Sequence, residues 1–110
     1  MDLRREQLAD GIEKISLVGR MDSIGGHDID NRFKAMVASR KLLAVVDMSE
    51  VSFLASIGIT VLLEARRTAG TATRVRVVAP EAGVVDRTLR LTGLHEALAV
   101  TTTRDDALTG

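Results

Sequence analysis

A short, continuously apolar run in the middle of the chain limits the folds that this sequence can adopt. The run from Leu42 to Val46 contains no polar residue. Five such residues are too few for a buried helix and are typical of a strand that is covered on both faces of a sheet. Sheets with two covered faces occur mainly in α/β proteins, because helices pack on both sides of the strands. We therefore predict an α/β fold in which this run is a central strand.

A second feature, Ser56, follows this strand. The stretch from Asp47 to Ser52 mixes polar and apolar residues and is predicted to be a connection. Ser56 then precedes apolar residues at helical spacing, so it is predicted to lie where a helix begins. Two interpretations stay open: a cap that accepts hydrogen bonds from the first free N–H groups, or a site for a phosphoryl group, which a helix N-terminus favours. Gly58 would let a ligand or partner backbone approach closely.

The remaining sequence predicts further elements around this pair. They are a hairpin turning at Asp10-Gly11, a glycine-containing loop over Asp22–Asp28, a helix from Ile29 to near Arg40, a helix closed by Gly70, a strand over Val75–Val78, a helix opened by Pro80 and ended by Gly93, a strand over Leu98–Val100, and a terminal helix within Thr101–Gly110. This alternation implies a mixed, mostly parallel sheet with an N-terminal antiparallel hairpin, covered by about four helices. At this length we expect one domain over residues 1–110.

The composition excludes several classes of function. Fifteen basic and fifteen acidic residues balance, and only two residues are aromatic, which argues against a nucleic-acid partner. The absence of cysteine removes disulfides, thiol nucleophiles and cysteine metal sites. No apolar run approaches the roughly 20 residues that span a bilayer. We expect a cytoplasmic protein, not inserted in a membrane, that is a monomer or a weak dimer.

No pattern in the sequence is typical of catalysis. Asp47 follows the apolar strand as in a response-regulator receiver, but the acidic pair and lysine of that site are missing. His27 and His95 lie in no metal-ligand spacing. Ser56 is not in a Gly-x-Ser-x-Gly elbow, and Gly25-Gly26 is too short for a phosphate-binding loop. We predict a protein that is not an enzyme, with no catalytic residue, metal or cofactor.

The central stretch resembles a known family. The run from Val46 to Ser49 and the run from Phe53 to Ile59, followed by Leu62-Leu63, resemble the STAS domain, and within it the bacterial anti-sigma factor antagonists. The resemblance implies that Ser56 is phosphorylated by a partner kinase that is also the anti-sigma factor. It also implies a partner-binding surface, which comprises Asp22, Ser23, Ala55, Ser56, Ile57, Gly58 and Ile59.

Two details of this resemblance bear on Ser56. Asp22 matches an acidic residue that lies near the phosphorylated serine in STAS domains, and the alternative is a loop aspartate that caps a turn. The family often places an aspartate before the serine and a second serine after it, whereas this chain has Ala55 and Ile57. Such apolar neighbours would weaken recognition by a kinase or favour constitutive binding of a partner.

Two functions follow from the resemblance. In the first, the chain is an anti-sigma factor antagonist that binds an anti-sigma factor with serine kinase activity, regulates transcription and is switched off by phosphorylation of Ser56. In the second, it is a constitutive STAS subunit of a lipid-transport or other multiprotein complex and needs no phosphorylation.

Overall fold

A single four-stranded sheet organises the structure, which is a computed structural model that describes residues 1–39 and 41–109. The strands are β1 (Asp2–Ala9), β2 (Ile12–Met21), β3 (Leu43–Leu54) and β4 (Arg74–Val78), and their order in the sheet is β1-β2-β3-β4. β1 and β2 form an antiparallel hairpin, whereas β2 with β3 and β3 with β4 pair in parallel. The predicted mixed sheet with an N-terminal hairpin is therefore confirmed.

Four helices accompany the sheet in the described part of the chain: α1 (Ser23–Ala38), α2 (Ser56–Ala69), α3 (Val84–Leu91) and α4 (Arg104–Thr109). Successive residues of β3 alternate between two buried clusters, because neighbouring side chains of a strand point to opposite faces. Ala44 and Val46 pack in the cluster that includes buried residues of α1, α2 and α3. Leu43 and Val45 pack with Ala107 of α4. The strand is thus buried on both faces, as predicted.

The central strand is longer than predicted. β3 runs on to Leu54, so the stretch from Asp47 to Ser52 is strand and not a connection. In this second half burial is irregular: Met48, Val51 and Leu54 are buried and the residues between them are not. The register with β2 also shifts twice there, which breaks the simple period of two. Leu42, at the other end of the run, precedes β3 and is 70% exposed.

The loop predicted over Asp22–Asp28 is also wrong, because α1 begins at Ser23. Gly25 and Gly26 are buried within this helix. A Cβ on Gly25 would overlap the backbone oxygen of Arg20, so glycine is required there by close packing and not by flexibility. α1 ends at Ala38, and its predicted end near Arg40 lies outside the described residues.

The C-terminal part differs from the prediction at two places. The segment over Leu98–Val100 is not a strand: residues 95–99 form turns, and Thr101 joins the sheet through an isolated bridge to Val78. α3 begins at Val84, after a turn that follows Pro80. The predicted terminal helix is present as α4, although Gly110 lies outside the described residues.

Three predicted turns are confirmed. Gly11 (φ 75°) is in the hairpin turn, Gly70 (φ 58°) caps α2, and Gly93 (φ 74°) lies just after α3. None of the helices within residues 1–39 and 41–109 combines the length and the apolar character that crossing a bilayer requires.

Candidate functional site

Two helices begin side by side at one edge of the sheet. The parallel pairing of β2 with β3 ends at Met21 and Leu54, which are neighbours in the register. The backbone N–H of Ala55 then donates to the carbonyl oxygen of Met21 at 3.0 Å and continues the contact beyond the strands. α1 starts two residues after Met21, and α2 starts two residues after Leu54. The carboxyl ends of parallel strands are where α/β proteins commonly bind their ligands.

Ser56 is the first residue of α2 and not its cap. The N-cap is Ala55, whose methyl side chain offers no oxygen to the free N–H groups. The N–H groups of Gly58 and Ile59 lie 2.9 and 3.3 Å from the carbonyl oxygen of Ala55. The predicted capping role of Ser56 is therefore wrong, because the helix starts at Ser56 itself, one residue earlier than a Ser56 cap would require. Ser56 is exposed at the positive end of the helix, where a phosphoryl group meets a favourable field.

Asp22 is the N-cap of α1. Its Oδ1 accepts a hydrogen bond from the N–H of Gly25 at 2.9 Å, and its Oδ2 lies 3.4 Å from Nε of Arg20. The hydrogen bond from the Gly25 N–H holds the pKa of this carboxyl below its usual value, and the nearby Arg20 lowers this pKa further. Asp22 thus places a carboxylate at the edge where Ser56 lies, and it caps a helix where the sequence suggested a loop or turn.

Ile57 and Gly58 pack the start of α2 against neighbouring parts of the protein. A Cβ on Gly26 of α1 would lie 3.3 Å from both Cγ1 and Cγ2 of Ile57. Gly58 is buried, and a Cβ there would lie 2.6 Å from Cδ1 of Leu54 and 2.8 Å from Cγ of Met21. Gly58 therefore makes room for the side chains of Leu54 and Met21, whereas the sequence suggested the approach of a ligand or a partner backbone.

Exposed apolar side chains at this edge were not predicted. Ile24, in the first turn of α1, is 83% exposed, and Phe53, near the end of β3, is 38% exposed. The guanidinium of Arg20 lies over the Phe53 ring at 4.6 Å from its centroid, because Arg20 and Phe53 are register neighbours on β2 and β3. That pairing depends on strand register, which no local pattern in the sequence reveals.

The surface around Ser56 can now be defined as the predicted residues together with these additions. We call it the Ser56 surface, and it comprises Arg20, Asp22, Ser23, Ile24, Phe53, Ala55, Ser56, Ile57, Gly58 and Ile59. Ser23 is exposed, whereas Ala55, Ile57 and Ile59 are partly buried. The exposed Ser56, among apolar and mixed-charge neighbours, suits contact with another protein and offers a hydroxyl to a modifying enzyme.

Asp47 and His95, two other polar residues singled out in the sequence, have structural contacts. Oδ1 of Asp47 accepts a hydrogen bond from the N–H of Ser49 at 2.9 Å. Nε2 of His95 lies 3.1 Å from Oδ1 of Asp86, and His27 is an exposed residue of α1. Across the two described ranges, no three His, Asp or Glu side chains are arranged to hold a metal ion.

The chain matches known proteins over almost its whole length. A family model described as "Mlab, STAS domain" matches residues 5–102. The anti-sigma-F factor antagonist RsfB of Mycobacterium tuberculosis (strain ATCC 25618 / H37Rv) is 31% identical over 100 residues, which are 91% of this chain and 81% of that protein.

Solved structures agree with this match. The crystal structure of an anti-sigma factor antagonist from Mycobacterium paratuberculosis has a TM-score of 0.88 and 31% identity, over 98% of this chain and 91% of that chain. The anti-sigma factor antagonist SpoIIAA in its unphosphorylated form has a TM-score of 0.74 at 16% identity, over 97% of this chain and 93% of that chain, and shares the fold.

Proposed function

Because this chain belongs to the STAS domain family, we propose that it is an anti-sigma factor antagonist whose Ser56 surface binds an anti-sigma factor with serine kinase activity. The relatives that are 31% identical over most of both chains carry the name anti-sigma factor antagonist. The observation that supports the proposal most directly is the exposed Ser56 at the first position of α2. Binding would release a sigma factor and so regulate transcription.

The unmodified Ser56 surface combines apolar and charged side chains, as protein-binding surfaces commonly do. Exposed Ile24 and partly exposed Phe53 offer apolar area that a partner can bury. Arg20 and Asp22 form an ion pair at 3.4 Å beside this area, and the other N–H groups of the guanidinium can meet an acceptor of the partner. The apolar area would provide most of the affinity, and the charges would orient the partner.

Phosphorylation of Ser56 would end this binding. A phosphoryl group brings about two negative charges at pH 7 and three acceptor oxygens to the centre of the surface. The first turn of α2 tolerates that charge, because its N–H groups and the helix dipole stabilise an anion. A partner packed against Ala55 and Ile57 would have to desolvate the phosphate, which costs binding free energy. The fold therefore survives the modification while the complex does not.

Affinity purification from the native cell tests this function. We expect the parent protein to capture an anti-sigma factor of the kinase class, and mass spectrometry to find a phosphorylated fraction at Ser56. Bait carrying Ser56→Asp should lose this partner, while bait carrying Ser49→Asp, a charge added at an exposed residue of β3, should keep it. Capture of a transporter ATPase by all three baits, with Ser56 unmodified, would instead identify a constitutive subunit of a transport complex.

A further inference from the structure

β4 is an edge strand, and half of its outer edge is open. β3 pairs along one side of β4 over its full length. On the other side, the chain that follows α3 covers only the C-terminal end of β4. There the N–H of Val77 donates to Leu98 O at 3.3 Å, and the N–H of Thr101 donates to Val77 O at 2.8 Å. In the part of the chain that the structure describes, no strand lies beside the N-terminal half of β4.

The backbone of Val75 faces this open half. The N–H of Arg74 donates to Leu42 O at 3.1 Å, toward β3, whereas the N–H of Val77 points away from β3. Backbone groups along a strand alternate in direction from one residue to the next, so the N–H and C=O of Val75 point outward like those of Val77. An outward pair of this kind is the unit that an added strand recognises.

A cationic cleft of about 260 Å³ surrounds this backbone pair. We call it the β4-edge cleft, and it is lined by Arg66, Gly70, Thr71, Thr73, Arg74, Val75, Arg76 and Ala99. Three of these residues are arginines and none is acidic, although the whole chain carries no net charge. Arg76 also donates to Ala107 O at 3.2 Å, which ties α4 to the same edge.

We propose that the β4-edge cleft binds a short acidic segment of a partner protein in extended conformation, which adds to β4 at Val75. A peptide supplies both a carbonyl for the Val75 N–H and an N–H for the Val75 carbonyl, and its carboxylates meet the arginines. A small anion can use the N–H and the arginines but leaves the carbonyl without a donor. The paired backbone groups therefore favour a peptide over an anion.

This cleft is separate from the Ser56 surface. α2 joins the two, since Ser56 begins the helix while Arg66 and Gly70 lie at its other end. Fourteen helical residues at roughly 1.5 Å each place the two sites about 20 Å apart. The protein can therefore hold one partner segment at each end of α2, and binding at the cleft does not depend on the modification of Ser56.

Titration of the ¹⁵N-labelled protein with a blocked Glu-Val-Glu-Val-Glu peptide, followed by NMR, tests the proposal. We expect saturable shifts at the amides of Val75 and Arg76, none at Ser56, and affinity that falls with added salt. A Gln-Val-Gln-Val-Gln peptide should bind about tenfold more weakly, because its hydrogen bonds to the arginines lack the carboxylate charge. Equal binding of both peptides, shifts that inorganic phosphate alone reproduces, or no saturable shift at Val75 would each overturn the proposal.

Substitutions locate the site independently. Arg66→Gln combined with Arg74→Gln should weaken the acidic peptide about tenfold, whereas Arg67→Gln, in the same turn of α2 but outside the cleft, should leave the affinity unchanged. Val75→Pro removes the outward N–H, a change that edge strands tolerate, and should abolish binding. If that variant does not fold, the arginine variants decide alone. Full affinity in the double arginine variant would refute the assignment.

Discussion

Gly26 of α1 and Ile57 of α2 lie in direct contact, with the position of a Gly26 Cβ only 3.3 Å from Cγ1 and Cγ2 of Ile57. This contact sets how closely the two helices approach where both begin. Ser56 and Asp22 flank the contact along the chain, so the spacing of the candidate site depends on a residue without a side chain. Neighbouring Gly25 faces the backbone of Arg20, whose carbonyl cannot move away as a side-chain end can.

Alanine substitutions at these two glycines should therefore differ. Gly25→Ala should lower the free energy of unfolding by at least about 2 kcal/mol, because its methyl group overlaps a fixed backbone oxygen. Gly26→Ala should stay within about 1 kcal/mol of the parent, since alanine favours a helix and Ile57 can shift by a few tenths of an ångström. Urea unfolding of both variants measures this, and equal stabilities would contradict the placement of α1.

Replacing Val45 by Asp should unfold the protein. Val45 is fully buried in β3 between its register neighbours Lys14 and Arg76. Taking an ionised carboxylate out of water at this position costs several kcal/mol, which is most of the stability of a small domain. Leu42→Asp is the matched control from the same apolar run, because Leu42 is 70% exposed and the charge stays in water. Circular dichroism melts should show a folded control only. A cooperative, near-native melt for Val45→Asp would refute the central position of β3.

Substitutions of Ser56 should separate stability from binding. Ser56→Ala should change the free energy of unfolding by less than about 0.5 kcal/mol, since α2 is capped by Ala55 and loses no capping bond. Ser56→Asp should be at least as stable, because a carboxylate in the first turn complements the helix dipole. Calorimetry gives both values, and a loss of about 1 kcal/mol or more for Ser56→Ala would restore the capping role.

The same variants test the phosphoswitch when they are titrated with the captured anti-sigma factor. Ser56→Ala should bind it and resist phosphorylation, whereas Ser56→Asp should stay folded and bind at least about tenfold more weakly, because the charge must be desolvated in the complex. Unchanged affinity of a folded Ser56→Asp variant would remove the switch from the proposed function.

Asp86 should make stability depend on pH in the acid range. Its buried carboxylate accepts from Ala82 N–H at 2.9 Å and from Nε of Arg90 at 3.0 Å, and these groups hold its pKa below the usual value of 3.8. The folded protein then binds the proton more weakly than the unfolded chain, so this stabilisation is present above pH 3.8 and disappears as the pH falls through the lower folded value.

Thermal melts between pH 7 and pH 3 check this dependence. Asp86→Asn should have a lower melting temperature than the parent at pH 7, and the difference should shrink below pH 4. Glu81→Gln, at an exposed position near the same turn, should show a difference that is small at every pH. A constant difference between Asp86→Asn and the parent across the range would show that packing, and not ionisation, explains the effect.

The purified protein should not hydrolyse ATP or GTP above a blank without protein. The sequence lacks a phosphate-binding loop, and the described residues include no metal-holding group of acidic or histidine side chains. Release of phosphate measures this, with Asp47→Asn and Ser56→Ala as controls. Turnover that co-purifies with the protein and disappears in either variant would contradict a binding function.

The order of the main elements follows from local patterns in the sequence. Three local patterns identify these elements: the apolar run that enters β3, the helical spacing after Ser56 and the β-branched residues of β4. Each pattern indicates which side chains are buried, because apolar residues avoid water. Asp10-Gly11 and Gly70 are local as well, because a backbone with positive φ favours glycine wherever the chain runs next. The family resemblance of the stretch around Ser56 is likewise visible in a short, continuous part of the sequence.

The first residues of α1 and α2 and the surroundings of Ser56 depend instead on contacts between distant parts of the chain. Gly25 and Gly26 look like a loop in isolation, yet they lie in α1, where the carbonyl oxygen of Arg20 leaves no room for a side chain at Gly25 and Ile57 leaves little at Gly26. Ala55 is the N-cap of α2 because its own N–H is held by Met21 O, a residue more than thirty positions away in the chain. Such contacts depend on strand register and on helix packing. Register and packing arise from many residues that are distant in sequence, so no short stretch of the sequence predicts these contacts.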